Sequence, residues 1–306
     1  MLLVVALGGN ALLMRGERPD ALVQRRHVRT AAQALAPLAH DHTLVLCHGN
    51  GPQVGVLAME SENDPELTHP YPLDALGAQT QGMIGYWLVQ ELGNAGVAAP
   101  IVAIVTQTVV DRDDPAFDAP TKFVGAGYPE QEARRLAAEH GWTVAPDTAA
   151  WRRVVASPQP RLVVELPTIR RLVASGTTVV CAGGGGVPVV AGEGGHTQGA
   201  QAVVDKDLTA ALLAIELGAD RLMVLTDVDA VKQDFGTSQE RSLSTVDVEE
   251  LLAMDFPAGS MAPKVEACLR FVTATGRAAA IGALRDAPAV LAGARGTTIT
   301  KSRSLA

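Results

Sequence analysis

The sequence predicts an α/β fold, a three-layer αβα sandwich with a mostly parallel central sheet and a small protruding subdomain. Three observations carry that prediction. Short apolar, β-branched runs recur along the chain, and several are continuous rather than alternating, as expected of strands buried on both faces. Amphipathic helical patterns fall between them. Two proline-bracketed or polar stretches interrupt the rhythm.

Strands are predicted at 2–7, 43–47, 101–105, 177–181, 221–225 and 278–282. Helices are predicted near 20–39, 52–60, 74–95, 165–175, 203–217, 245–253 and 262–275. The polar segment 61–73 reads as a surface loop. Residues 111–160 open with Asp111-Arg112-Asp113-Asp114-Pro115 and close with Ser157-Pro158-Gln159-Pro160. Between these brackets lie a helical stretch near 129–140 and the strand-like Arg152-Arg153-Val154-Val155, so the segment is expected to protrude from the sheet edge as an inserted subdomain.

The 306 residues suffice for one large domain or two lobes. With 47% hydrophobic and 19% charged residues the chain is globular rather than disordered. A net charge of −8 without a long basic run argues against nucleic acid or an anionic membrane as partner. The apolar start, Met1 to Leu7, is too short to span a bilayer and reads as a first strand. Cys47, Cys181 and Cys268 are odd in number and far apart, which suits small buried hydrophobes in a reducing cytoplasm.

Glycine-rich turns follow three predicted strands: Gly8-Gly9-Asn10-Ala11, His48-Gly49-Asn50-Gly51-Pro52-Gln53-Val54-Gly55, and Gly183-Gly184-Gly185-Gly186. Without Cβ atoms, backbone N–H groups approach phosphate oxygens closely, and Pro52 suits the first turn of a helix. Any one of these turns is equally explained as a tight bend; three, each after a buried strand, point to an anion. There is no Gly-x-x-x-x-Gly-Lys-Ser/Thr loop and no Gly-x-Gly-x-x-Gly in the first βαβ unit, which excludes the P-loop and dinucleotide fingerprints.

Only five of the 25 basic residues are lysines. Lys206, in Val203-Val204-Asp205-Lys206-Asp207, and Lys264, in Ala262-Pro263-Lys264-Val265, both stand at helix starts, where the helix dipole disfavours cations unless a polyanion lies nearby. Lys122 lies in the inserted segment, within Pro120-Thr121-Lys122-Phe123-Val124-Gly125. Lys232 and Lys301 read as solvated surface. His48 reads as a packing or hydrogen-bonding residue, and His40-Asp41-His42 as a solvated loop. The pair in Thr226-Asp227-Val228-Asp229 reads either as a turn or as a nucleotide neighbour.

Taken in order and spacing, these segments resemble the carbamate kinases of the amino-acid kinase superfamily. The likeness runs from Ala6-Leu7-Gly8-Gly9-Asn10-Ala11 and His48 to Gly55, through Pro72-Leu73-Asp74 and Gln81-Gly82-Met83-Ile84-Gly85-Tyr86, to Val203 to Asp207 and Gly259-Ser260-Met261. The resemblance implies a single domain, 1–306, with an eight-stranded sheet. Within it, a carbamate-binding lobe is expected at 1–176 and a nucleotide-binding lobe at 177–306. It implies a cytoplasmic homodimer that transfers a phosphoryl group between ATP and carbamate with Mg2+, commonly toward ATP synthesis in carbamoyl phosphate catabolism.

On this resemblance Gly8, Gly9, Asn10, Gly49, Asn50 and Gly51 bind carbamate and the transferring phosphoryl. Lys206 and Lys264 bind nucleotide phosphates, with Thr226 and Asp227 beside the adenosine. Lys122 replaces a lysine that related kinases carry where this chain has Ala6. Asp207 orients the lysines; no direct metal ligand is assigned, Mg2+ being held mainly by phosphates with Asp207 as the candidate carboxylate. Phe123 stands where the family usually has proline, and Ala262 where it has glycine. Another small anionic acceptor, and a non-catalytic nucleotide sensor, are the alternative functions.

Overall fold

The predicted alternation resolves into one eight-stranded sheet in a computed structural model that describes residues 1–9, 12–14, 16–147, 150–256 and 261–301. The chain begins β1 (Leu2–Leu7), α1 (Ala21–Asp41), β2 (Thr43–His48), α2 (Gly51–Asn63), α3 (Leu73–Asn94), β3 (Ile101–Ala103). There follow β4 (Gln107–Val110), β5 (Lys122–Tyr128), α4 (Glu130–His140), β6 (Thr143–Asp147), β7 (Ala150–Val155), β8 (Pro160–Val163), α5 (Leu166–Ala174) and β9 (Thr178–Val180). The remainder comprises β10 (Val187–Ala191), β11 (Thr197–Gly199), α6 (Lys206–Glu216), β12 (Arg221–Thr226), β13 (Lys232–Gln233) and β14 (Arg241–Ser242). It ends with β15 (Thr245–Asp247), α7 (Val248–Leu252), α8 (Ala262–Thr275), β16 (Ala279–Ala283), α9 (Ala287–Leu291) and β17 (Thr297–Thr300).

The main sheet has the order β15-β17-β16-β12-β1-β2-β9-β3. All its pairings are parallel except β16 with β17. Alternate side chains of β1 divide between two cores. Val4 and Ala6 join Val45, Val224, Leu213 and Phe271 on the face covered by α5, α6 and α8. Leu3, Val5 and Leu7 join Leu46, Met223, Leu35 and Leu88 on the face covered by α1, α3 and α9. Leu3 to Leu7 are wholly buried, which explains why this strand reads as a continuous apolar run.

Residues 122–155 form the protruding subdomain, an antiparallel sheet β5-β7-β6 with α4 packed on it. It is smaller than the expected 111–160, because Pro160–Val163 pairs with β4 in a second sheet, β11-β10-β4-β8. Its apolar core is small, with Val124, Ala133, Leu136, Val154 and Val155 buried. Arginine stacking supplements that core: Arg134 lies 4.7 Å from the Trp151 ring centroid, Arg153 4.8 Å from Trp142, and Arg152 5.5 Å from Phe123. Each stack contributes on the order of 0.5–1 kcal/mol at such part-exposed sites.

Several boundaries differ from expectation for identifiable reasons. The helix near 203–217 starts at Lys206, because Asp205 is extended and caps it. The helix near 245–253 is halved, since 245–247 pairs with β17. His40 and Asp41 close α1 rather than lying in a loop, and His42 is its C-cap. The 61–73 loop is shorter, because α2 runs to Asn63 and α3 starts at Leu73. Strands β10, β11 and β17 are short and fall outside the predicted runs.

The subdomain docks on α2. Val54, Ala58, Leu73 and Leu76 pack with Val124, Val155 and Val203. At the tightest point a Cβ on Gly55 would lie 2.0 Å from the Gly125 Cα, and Gly125 itself has φ +71°. Both atoms are backbone, so no rotamer change relieves the clash. Gly55→Ala is therefore expected to push the subdomain off α2 at a cost on the order of 1–3 kcal/mol, seen as a lower urea-unfolding midpoint; an unchanged midpoint would refute this docking.

Candidate active site

Neighbouring parallel strands deliver their C-terminal ends to one place, and here β12, β1, β2 and β9 are neighbours. Thr226 ends β12, Gly8-Gly9 follow β1, His48 ends β2 with Gly49 to Gly51 after it, and Ala182 to Gly186 follow β9. The turns are in mutual contact. A Cβ on Gly49 would lie 2.9 Å from the Gly9 Cα, and one on Gly8 3.1 Å from Thr226 Oγ1. A Cβ on Gly183 would meet the His48 ring at 2.3 Å, and one on Gly184 the Asn50 amide at 2.1 Å. Gly184, Gly185 and Gly186 also have φ of +63°, +89° and +90°, so both space and backbone conformation demand glycine there.

Helix α3 holds two of these turns in register. Asn50 Nδ2 donates to Thr80 Oγ1 at 2.9 Å, and Thr80 Oγ1 donates to the Gly77 carbonyl. The next residue, Gln81, accepts from the Thr106 N–H at 3.0 Å and from its hydroxyl at 3.1 Å, and donates to its carbonyl at 3.2 Å. Thr106 Oγ1 in turn accepts from the Ala182 N–H at 2.8 Å. Ala182 has φ +49°, a conformation an L-residue rarely adopts without such support. The Gly185 carbonyl accepts from Thr108 and Thr209 hydroxyls.

Charges meet beside these turns. Lys206 Nζ lies 2.6 Å from Asp207 Oδ1, and Lys264 Nζ 3.1 Å from Asp207 Oδ2. Lys122, reaching over from β5, lies 2.5 Å from Asp205 Oδ2. The other Asp205 oxygen caps α6, accepting from the N–H groups of Asp207 at 2.9 Å and Leu208 at 3.3 Å. Side chains of Lys206 and Lys264 are only 10% and 11% exposed, and that of Lys122 32%. Three ammonium groups thus share two carboxylates, leaving one unit of positive charge for an incoming anion.

The surroundings set each ionisation. Burial pulls the Lys206 pKa down, and Lys264 adds to this; Asp207 and Asp205 oppose it without fully compensating. Burial also disfavours charged Lys122, yet Asp205 outweighs it and the net direction is up. Burial raises Asp205, but Lys122, Lys206 and Lys264 together hold it below the usual carboxylate range. His48 is pushed down to about 4, by burial first and by Lys206; its Nδ1 lies 3.0 Å from the Gly49 carbonyl, which only accepts, so the neutral ring donates there.

Lys122, the adjacent pair Lys206 and Asp207, and Lys264, from three distant parts of the sequence, therefore share one cluster, and Gly8, Gly9, Gly49, Asn50 and Gly51 line the turns next to it. Thr226 abuts Gly8 and donates to Asp227 Oδ1 at 2.9 Å. Asn10, Gly259 and Ser260 lie outside the described residues. Sequence reasoning assigned no role to Asp205, Thr80, Gln81 or Thr106. Asp205 had a readable signal, an acidic residue within the first turn of the helix expected near 203–217; the other three act only through tertiary contacts. Lys232 pairs with Glu240, and Lys301 is exposed, both away from the cluster.

Among the described residues no group of three or more His, Cys, Asp or Glu side chains is placed to hold a metal ion, and no helix is long and apolar enough to cross a membrane. All three cysteines are free and buried.

The Amino acid kinase family pattern matches residues 1–282. The chain is 50% identical to the carbamate kinase of Rhizobium meliloti (strain 1021), over 99% of this chain and 94% of that one. It is similar in structure to the carbamate kinase from Giardia lamblia bound to citric acid, with a TM-score of 0.93, 40% identity and 98% of each chain covered. The same Giardia lamblia enzyme bound to AMP-PNP matches with a TM-score of 0.89 at 40% identity, again over 98% of each chain. The glycine turns, the buried lysine cluster and this full-length likeness converge: the chain belongs to the amino acid kinase family, within its carbamate kinases.

Proposed function

We propose that this ATP-dependent phosphotransferase moves the γ-phosphoryl reversibly between Mg·ATP and carbamate, and that it works toward ATP synthesis in carbamoyl phosphate catabolism. One observation carries the reading: Lys122, Lys206 and Lys264 converge through Asp205 and Asp207 beside three glycine turns. Phosphoryl transfer needs in-line placement and neutralisation of charge on the moving oxygens, with little covalent help from protein. Amides of Gly8, Gly9, Gly49 and Gly51 and the Asn50 side chain cradle the acceptor and the moving group. Lys206 and Lys264 stabilise the nucleotide phosphates, and Lys122 the carbamoyl phosphate. Carbamate is already an anion, so no general base is required, and buried, neutral His48 is suited to packing and to its hydrogen bond with the Gly49 carbonyl.

The nucleotide half of this reading is supported by the relative that binds AMP-PNP. Residues 177–306 then supply the nucleotide lobe, with Thr226 and Asp227 toward the adenosine, and residues 1–176 the carbamate lobe. Both Asp207 oxygens already face lysines. That donor set fits Mg2+ arriving on the nucleotide phosphates, with Asp207 the nearest carboxylate, rather than a protein cage. A homodimer fits the shallow face of Tyr86, Val89, Ile101 and Val102 beside the edge strand β3, and a cytoplasmic setting fits three free thiols.

Turnover tests the reading directly. ATP formation from carbamoyl phosphate and ADP with Mg2+ is expected in the wild type, and Lys122→Ala is expected to lose on the order of 100-fold in kcat with an unchanged circular dichroism spectrum. Absence of wild-type turnover while ADP still binds would instead favour a nucleotide sensor.

The same charges fix acid stability. Between pH 6.5 and about 4 the unfolded chain protonates His48 while the native chain does not, so stability falls with pH across that window, by on the order of 3 kcal/mol in total. Asp205 adds a second loss below its ordinary pKa of 3.8, as pH falls toward its depressed native value. His48→Gln is expected to flatten the decline in thermal midpoint from pH 7 to 4.5; a slope matching the wild type would rule His48 out as the titrating group.

A further inference from the structure

The subdomain that carries Lys122 contains a gap in its own sheet. Phe123 pairs with Val154 and Val124 with Arg153, and the next aligned pair is Tyr128 with Trp151. Gly125, Ala126 and Gly127 on β5 therefore oppose the single residue Arg152 on β7. Such a bulge bends the strand and leaves backbone groups without ladder partners, and it starts only three residues after Lys122.

Arg152 spans this gap. Its Nη2 donates to the Gly125 carbonyl at 3.0 Å, and its Nη1 to Asp147 Oδ2 at 2.8 Å, at the end of β6. Its guanidinium carbon stands 5.5 Å from the centroid of the Phe123 ring, and its Cγ lies 3.8 Å from where a Cβ on Gly127 would be. One planar, forked cation thus ties β5 to β6 across β7 and lies against the residue adjoining Lys122. A lysine has neither the planar face nor the paired donors for this.

We propose that Arg152 is a positioning residue for Lys122, holding the β5 bulge and the Phe123 ring so that the ammonium group emerges at the height of Asp205 and the phosphoryl site. The inference rests on the role given to Lys122 above.

A double-mutant cycle tests it, with kcat for ATP formation, KM for ADP and thermal midpoint measured for each variant. Arg152→Met is expected to lower kcat by about tenfold to 100-fold, since small misplacements of a reacting group have costs of that size, while KM for ADP stays unchanged. Arg152→Lys should recover part of kcat, and Phe123→Ala should lower it in the same direction. In a Lys122→Ala background, Arg152→Met should cost nothing further. Wild-type kcat in Arg152→Met, an equal loss with and without Lys122, or a loss that merely follows the unfolded fraction would each overturn the proposal. If Lys122→Ala alone leaves kcat intact, the role of Lys122 itself fails, separately from that of Arg152.

Discussion

Asp207 places both carboxylate oxygens between two lysines in a site almost closed to water, and most of the surrounding architecture serves to make that arrangement tolerable. Lys206 and Lys264 would repel each other strongly at low dielectric, and burial disfavours the charged form of Lys206. The carboxylate between them, with Asp205 alongside, keeps the cluster only one charge from neutral. Removing either acid would leave buried cations without compensation, which is far more costly than losing an exposed ion pair.

Strand order puts those groups within reach of one another. β1 lies between β2 on one side and β12 on the other, so the turns that follow these three strands lie side by side at the carboxyl edge of the sheet. Helix α6 starts beside those turns with Asp205 as its cap, and α8 brings Lys264 to Asp207 in the first turn of α6. Glycine at 49, 183 and 184 lets the turns close on one another, since any side chain there would strike a neighbouring turn or the Asn50 and His48 side chains. Thr80 and Gln81, consecutive on α3, set the spacing between the turn after β2 and the turn after β9.

The third lysine arrives by a different route. It is carried by a small sheet docked on α2, whereas Ala6, near the end of β1, is fully buried against the α6 and α8 layer. Helix α2 begins at the Asn50 turn, touches Gly125 at Gly55, and near its end carries Glu62, which accepts from Arg153 and Trp142 of the subdomain. The Asn50 turn and the Lys122 strand are therefore braced by one helix. The Lys122–Asp205 pair then links that braced unit to the helix bearing Lys206.

Much of this was legible in the residues alone. Continuous apolar runs at 2–7, 43–47 and 221–225 announce doubly buried strands, and the main sheet places all three at its centre. The glycine turns and the helix-start lysines, Lys206 and Lys264, point to an anion at the sequence level because backbone space and helix dipole are local properties. Local chemistry does not say which strands are neighbours, so it left the short strands β10, β11, β15 and β17 unread, and it left Asp205, Gln81 and Arg152 without roles. Those roles exist only across 83 residues from Lys122 to Asp205, 25 from Gln81 to Thr106 and 27 from Gly125 to Arg152, distances along the chain that only the packed sheet closes.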